Sequence, residues 1–130
     1  MNDQHRHARP LVCIVDDDRS VRLALSTLLR SVGFDIHACA SGAELLSSGM
    51  AAWGGCLIAD IRMPGLDGFE LQAALQAAGT GLPTVFISGH ADGETRERAL
   101  VAGAVDLLSK PFSEAALLQA VRTALERGGR

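Results

Sequence analysis

Five short apolar runs punctuate the chain: Leu11–Val15, Phe34–Ala38, Cys56–Ala59, Pro83–Ile87 and Val105–Leu108. Each is nearly continuous in apolar character, which suits a strand covered on both faces better than one with a wet side. The segments between them change period. Val21, Leu25, Leu28, Leu29 and Val32 recur at helical spacing, with Asp18 or Arg19 suited to open the helix and Gly33 to close it. A second helix is expected from Ser41, where Glu44 three residues on completes a capping box. A third spans about Gly68 to Ala78. The fourth, about Gly93 to Ala102, is polar (Glu94, Thr95, Arg96, Glu97, Arg98) and poorly amphipathic. The fifth begins after Ser113 and sets Leu117, Leu118, Val121 and Leu125 on one stripe.

Strand and helix thus alternate five times. The expected class is α/β: a doubly wound five-stranded parallel sheet with five helices, flavodoxin-like, in the strand order 2-1-3-4-5. Residues 11–127 are expected to form one domain, residues 1–10 a disordered N-terminal tail, and residues 128–130 a tail or the start of a linker. A hydrophobic fraction of 48% supplies a core, and a charged fraction of 21% is too mixed with apolar residues for disorder. No run reaches the roughly 18 apolar residues of a membrane span. The first ten residues carry His5, Arg6, His7 and Arg9 and lack the apolar stretch of a signal peptide, so a cytoplasmic location without membrane contact is expected.

Charge and rings narrow the function classes. The net charge is −3 and aromatics are 4% with no Tyr, which argues against direct contact with nucleic acid. Cys13, Cys39 and Cys56 are odd in number and widely spaced, and are expected to be small buried side chains in a reducing compartment; a redox or metal role is the alternative. Lys110 is the only Lys among twelve basic residues, which points to a site that needs a compact ammonium in place of a flat fork. Trp53, just ahead of the third strand, is expected at the amino end of the sheet.

Ligands of such sheets bind beyond the carboxyl ends of the strands, near the switch in strand order. The first strand exits into Asp16-Asp17-Asp18, the third into Asp60, the fourth into Ser88-Gly89-His90 and the fifth into Ser109-Lys110-Pro111. Each group alone has an ordinary explanation. The acids could cap a helix, Asp60 could open the turn at Met63-Pro64-Gly65, Ser88-Gly89 could start a loop, and Lys110-Pro111 could end a strand. Their joint occurrence, one at each of four strand exits, is much harder to reach by accident. Crowded carboxylates repel one another and invite a hard divalent cation such as Mg²⁺. A carboxylate is also a nucleophile toward phosphorus, giving an aspartyl phosphate, and phosphoryl transfer is mostly positioning and charge neutralisation.

These residues resemble the receiver domains of two-component response regulators, over about Leu11 to Leu125. The motifs are Val15-Asp16-Asp17-Asp18, Asp60-Ile61-Arg62-Met63-Pro64-Gly65, Gly68, Ser88-Gly89-His90, Ala102-Gly103-Ala104 and Lys110-Pro111-Phe112. The chain is most similar to receivers that precede a LuxR-type helix-turn-helix output domain. The resemblance implies that Asp60 accepts a phosphoryl group from a sensor histidine kinase. Asp17, Asp60 and the backbone carbonyl of Arg62 would bind Mg²⁺ directly, and Asp16 largely through water. Ser88 would hold the switch hydroxyl position, Lys110 would contact the phosphoryl group, and a cis peptide is expected before Pro111. Arg62 and His90 flank the site and are expected to tune dephosphorylation. The family usually carries an aromatic residue three positions before the Lys, whose ring turns inward on activation; here that residue is Leu107, which puts a coupled hydroxyl–aromatic switch in doubt.

The resulting expectation is a phosphorylation-dependent signalling switch, not an enzyme beyond its own Mg²⁺-dependent phosphorylation and dephosphorylation. Its output would be transcriptional, through a C-terminal helix-turn-helix domain outside this chain, with a phosphorylation-dependent homodimer formed by the fourth helix and fifth strand. The alternative is a receiver-like interaction module that works without phosphorylation; such modules usually lose part of the acidic pocket or the Lys, and this chain keeps both. A hydrolase working through an aspartyl phosphate usually needs a second acid two residues after the nucleophile, where this chain has Arg62. A generic nucleotide-binding fold lacks support because no Gly-rich loop follows the first strand.

Overall fold

A computed structural model describes residues 9–128. Of the expected N-terminal tail, only Arg9 and Pro10 lie within the described residues, and both meet the second strand. The Arg9 guanidinium is 3.8 Å from Asp35, and the Asp35 N–H donates to the Pro10 carbonyl. The rest of that tail, and residues 129 and 130, lie outside the described residues.

The apolar runs become five parallel strands: β1 (Leu11–Val15), β2 (Asp35–Cys39), β3 (Cys56–Asp60), β4 (Thr84–Ser88) and β5 (Asp106–Ser109). Their order is β2-β1-β3-β4-β5, as expected from the alternation. The intervening helices are α1 (Arg19–Ser31), α2 (Gly42–Ser48), α3 (Gly68–Ala77), α4 (Gly93–Val101) and α5 (Glu114–Gly128), and a 3₁₀ turn at Met50–Trp53 precedes β3. Trp53 is exposed on that turn, at the amino end of the sheet.

β2, β4 and β5 begin and end one residue later than their apolar runs, and β3 ends one residue later. The ladder does not stop where side chains become polar. Ile61 N–H donates to the Ile87 carbonyl and Lys110 N–H to the Ser88 carbonyl, so Asp60, Ser88 and Ser109 are carried as the last residues of their strands. Phe34 is lost from β2 because its N–H closes the end of α1 on Leu29, after Gly33 turns left-handed at φ 103°.

Successive strand residues face opposite ways, which divides the core in two. Cys13, Val15, Leu57, Ala59, Phe86 and Leu107 pack with α2, α3 and the one buried side chain of α4, Ala99. Val12, Ile14, Cys56, Ile58, Val85 and Ile87 pack with α1 and α5. All three cysteines are free and buried, as anticipated, and desolvation pushes the Cys13 and Cys56 thiols up to about 12 and that of Cys39 to about 11.

Capping differs from expectation at α2. Ser41 accepts from Glu44 N–H, but the Glu44 carboxylate reaches past Ser41 to the N–H of Ala40, so the box is not reciprocal. The reciprocal box lies instead at α3, where Asp67 and Glu70 exchange backbone bonds of 2.8 and 2.9 Å. It fixes the helix that leaves the third strand's exit.

Candidate functional site

The exits of β1, β3 and β5 meet through Asp16, Asp60 and Lys110, and the exit of β4 joins them along the sheet, where Lys110 N–H donates to the Ser88 carbonyl. Asp16 directly follows β1 and is completely buried. Its N–H continues the ladder to the Cys39 carbonyl, its Oδ1 accepts from Asp18 N–H at 2.8 Å, and its carbonyl accepts from Arg22 Nη1 at 2.8 Å. Asp18 caps α1 through the N–H of Ser20, so the acidic triplet divides its work: Asp16 points inward, Asp17 is exposed, Asp18 starts the helix.

Asp60 ends β3 almost fully buried, and its Oδ1 accepts from Arg62 N–H at 3.0 Å. Gly68 makes this turn possible. A Cβ there would lie 2.7 Å from the Asp60 carbonyl oxygen and 3.0 Å from the Ile61 Cα, and the Gly68 N–H donates to the Ile61 carbonyl. Only a residue without a side chain lets α3 start so close to the end of β3.

Lys110 follows β5, and the Lys110–Pro111 peptide is cis. Its Nζ donates to Asp60 Oδ2 at 2.9 Å and to Asp16 Oδ2 at 3.2 Å, so one ammonium bridges two buried carboxylates from different strands. Partial burial alone would lower the Lys110 pKa, but the hydrogen bond to Asp60 and the charges of Asp16 and Asp60 outweigh it and raise it. Desolvation raises the Asp16 carboxyl; donation by Asp18 N–H and the nearby ammonium oppose this, while the Asp60 charge adds to it. Asp16, Asp17 and Asp60 each offer an oxygen within 4.8 Å of the others. An all-oxygen, carboxylate-rich set with one exposed member fits a hard cation such as Mg²⁺, which keeps several of its waters.

The remaining anticipated residues surround this centre. Ser88 is buried at the end of β4, and its hydroxyl accepts from His90 N–H at 3.0 Å. His90 itself is exposed. Its ring turns away along the surface, with Nε2 3.1 Å from Asp92 Oδ2, and Asp92 caps α4 through Thr95 N–H. That N–H first, then the Thr95 side chain and, to a smaller extent, the His90 ring hold the Asp92 carboxyl below its ordinary range. The Arg62 side chain is exposed and, with Met63, Glu94 and Arg98, lines a cavity of about 570 Å³ between the β3–α3 loop and α4. Leu107 is buried in the first core beside Phe86 and Ala99. Two arginines were not anticipated. Arg22 reaches back six residues to the Asp16 carbonyl, and Arg96 on α4 donates to the Leu107 carbonyl at 3.3 Å and to Ser109 Oγ at 3.0 Å. Nothing in the spacing of a polar helix marks which of its arginines will find the neighbouring strand.

The Response regulator receiver domain model matches residues 12–122. Nodulation protein W of Bradyrhizobium diazoefficiens is 44% identical over 119 residues, covering 92% of this chain and 52% of that protein. Response regulator protein TmoT of Ectopseudomonas mendocina is 43% identical, covering 97% of this chain and 56% of that protein. Among solved structures, response regulator StyR superposes with a TM-score of 0.84 at 44% identity, over 92% of this chain and 61% of that one. The chain therefore spans about half the length of the curated relatives it matches.

Proposed function

The chain belongs to the response regulator receiver domain family, and on that premise we propose that Asp60 is its phosphoacceptor. The observation that carries this reading is the Lys110 ammonium, held 2.9 Å from Asp60 and 3.2 Å from Asp16 beside the exposed Asp17. An Asp60 oxygen attacks the phosphorus of a kinase phosphohistidine in line. A P–O bond forms, the P–N bond breaks, and the departing imidazole nitrogen takes up a proton from solvent. In the reverse direction of signalling, water attacks the phosphorus, the bond to Asp60 breaks, and inorganic phosphate leaves.

Asp17, Asp60 and the Arg62 carbonyl would hold Mg²⁺ directly, with Asp16 acting through water. The ion supplies neutralisation of the negative oxygens that gather during transfer. Lys110 supplies the opposing positive charge from the β5 side. Ser88 accepts from His90 N–H, so its own proton is available to donate toward a phosphoryl oxygen. Arg62 and His90, whose N–H groups bond Asp60 and Ser88, are the residues proposed to tune the approach of water.

In this proposal the chain turns over no substrate other than its own acyl phosphate. Its upstream partner is a sensor histidine kinase and its location the cytoplasm; among the described residues no helix is long and apolar enough to cross a membrane. Relatives named as transcriptional regulatory proteins support a transcriptional role, exercised in this proposal through a C-terminal helix-turn-helix output domain, with no nucleic acid bound by this domain itself. Leu100 and Val101 are 76% and 85% exposed at the end of α4, which supports a phosphorylation-dependent homodimer through the α4–β5 face.

The test is mass spectrometry after incubation with acetyl phosphate and Mg²⁺. A gain of one phosphoryl group, absent in Asp60→Asn and absent without Mg²⁺, is expected. Equal labelling of Asp60→Asn would overturn the assignment, and no labelling of the wild type would favour the interaction module that works without phosphorylation.

A further inference from the structure

α4 is fastened to the rest of the molecule largely by polar contacts. Ala99 is its one buried side chain, and Leu100 and Val101 point outward. Two of its ties lead to α3. The Arg98 guanidinium lies 4.2 Å from the centre of the Phe69 ring, and Gln72 Nε2 donates to the Ala102 carbonyl at 3.1 Å. The third leads elsewhere. Arg96 donates through Nη1 to the Leu107 carbonyl and through Nη2 to Ser109 Oγ. Ser109 is the last residue of β5, and the next residue is Lys110, whose ammonium is bonded to Asp60 and Asp16.

We propose that Arg96 is the positioning residue that reports the state of Asp60 to α4, doing for this chain what an inward-turning ring at position 107 cannot do. The inference rests on the reading of Asp60 as phosphoacceptor. Leu107 is only 6% exposed and already packed beside Phe86 and Ala99, so it has no inward swing left to make. The end of β5 still has to respond. A phosphoryl group on Asp60 puts its oxygens where the carboxylate's contact with Lys110 Nζ now lies, and the ammonium has to find its new partner there. Lys110 is tied through its own N–H to the Ser88 carbonyl, and Ser109 precedes it directly. A shift along this segment therefore changes the position of Ser109 Oγ against the Leu107 carbonyl. Those are the two acceptors that the rigid guanidinium fork spans. With only Ala99 buried to hold α4 in place, the fork is the direct polar link between the two elements, and α4 is biased when its geometry changes.

Amide hydrogen exchange of α4 tests this, read with Mg²⁺ alone and with Mg²⁺ plus beryllofluoride as the phosphoryl mimic, in wild type, Arg96→Ala and Ser109→Ala. Acetyl phosphate labelling of Asp60 is measured alongside. The wild-type exchange of α4 should change between the two states. In Arg96→Ala that change should shrink at least about fivefold, the lower edge of ordinary site-to-site couplings. Ser109→Ala, which removes one of the two acceptors, should fall between, and Asp60 labelling should remain at the wild-type level in both. A purely structural role would loosen α4 equally in both states and leave the ratio between them unaltered. A wild-type ratio in Arg96→Ala, or no α4 response in a wild type that labels normally, refutes the role of Arg96. Failure of the wild type to label refutes the phosphoacceptor itself.

Discussion

Asp17 is the member of the acidic cluster whose removal should make the protein more stable. Its carboxylate lies within 4.8 Å of Asp16 and Asp60 oxygens, and among the described residues no cation is paired with it. Lys110 bridges the two buried acids, so Asp17 faces two negative charges and one positive charge, a net of one unit. At 4.8 Å, the upper limit of that separation, one unit of repulsion is about 0.9 kcal/mol at the dielectric of water and about 3.5 kcal/mol at an effective dielectric of 20. Asp17 is exposed, so the lower end applies. Asp17→Asn keeps the volume, removes the charge, and should gain about 1 kcal/mol in metal-free buffer, or about 3–6 °C in Tm for a chain of this size. The same substitution removes a ligand. Magnesium at tenfold its Kd stabilises a folded protein by about 1.4 kcal/mol through linkage, and the variant should lose most of that gain. Urea and thermal denaturation with EDTA and with Mg²⁺ measure both terms. The opposite sign in EDTA would show that the cluster is not repulsive, and an equal Mg²⁺ gain in both proteins would show that it is not the metal site.

Gly68→Ala should destabilise by about 1–3 kcal/mol through overpacking, because the new Cβ meets the Asp60 carbonyl at 2.7 Å and backbone cannot step aside. A urea midpoint at the wild-type value would contradict that close approach. Alkaline pH should weaken the fold. The buried thiols rise from 9.0 to about 11 or 12, so above pH 9 the folded chain holds protons that the unfolded chain releases, and stability falls as pH rises. The raised Lys110 acts in the same direction, its contribution being present below 10.5 and lost above it. The limiting slope is about 1.4 kcal/mol per pH unit for each group, and a urea midpoint that stays level from pH 8 to 10.5 would contradict the burial of these groups. Arg62→Ala and His90→Ala should alter the lifetime of the acyl phosphate more than its yield; decay at the wild-type rate in both, followed by loss of radiolabel, would exclude a role in gating water. Trp53 emission should barely respond to Mg²⁺, because the residue sits at the opposite end of the sheet, and strong quenching would count against that placement.

What the sequence determined by itself was the periodic part of the molecule. Short continuous apolar runs suit strands buried on both faces, and with helical stripes alternating between them the doubly wound sheet follows. The same alternation placed Asp16, Asp60, Ser88 and Lys110 at strand exits, which a parallel sheet gathers at one end. The ends of elements were less legible. The ladder carries polar Asp60, Ser88 and Ser109 into the strands because backbone hydrogen bonding is blind to side-chain polarity. Glu44 and Glu70 stand in similar contexts, yet only Glu70 closes a reciprocal box, a matter of where the preceding turn aims the N–H groups. Tertiary structure alone decided the partnerships: Lys110 shared between two acids, Arg22 on the Asp16 carbonyl, His90 turned to Asp92, Leu107 already inside, and Arg96 forked onto β5. Charged side chains have many rotamers, and which of several carboxylates or carbonyls they meet depends on how the intervening turns and elements pack, whether the partners are close in the chain, as His90 and Asp92, or distant, as Asp16 and Lys110. Hydrophobic period is a local property that survives in the sequence; charge pairing across strands is not.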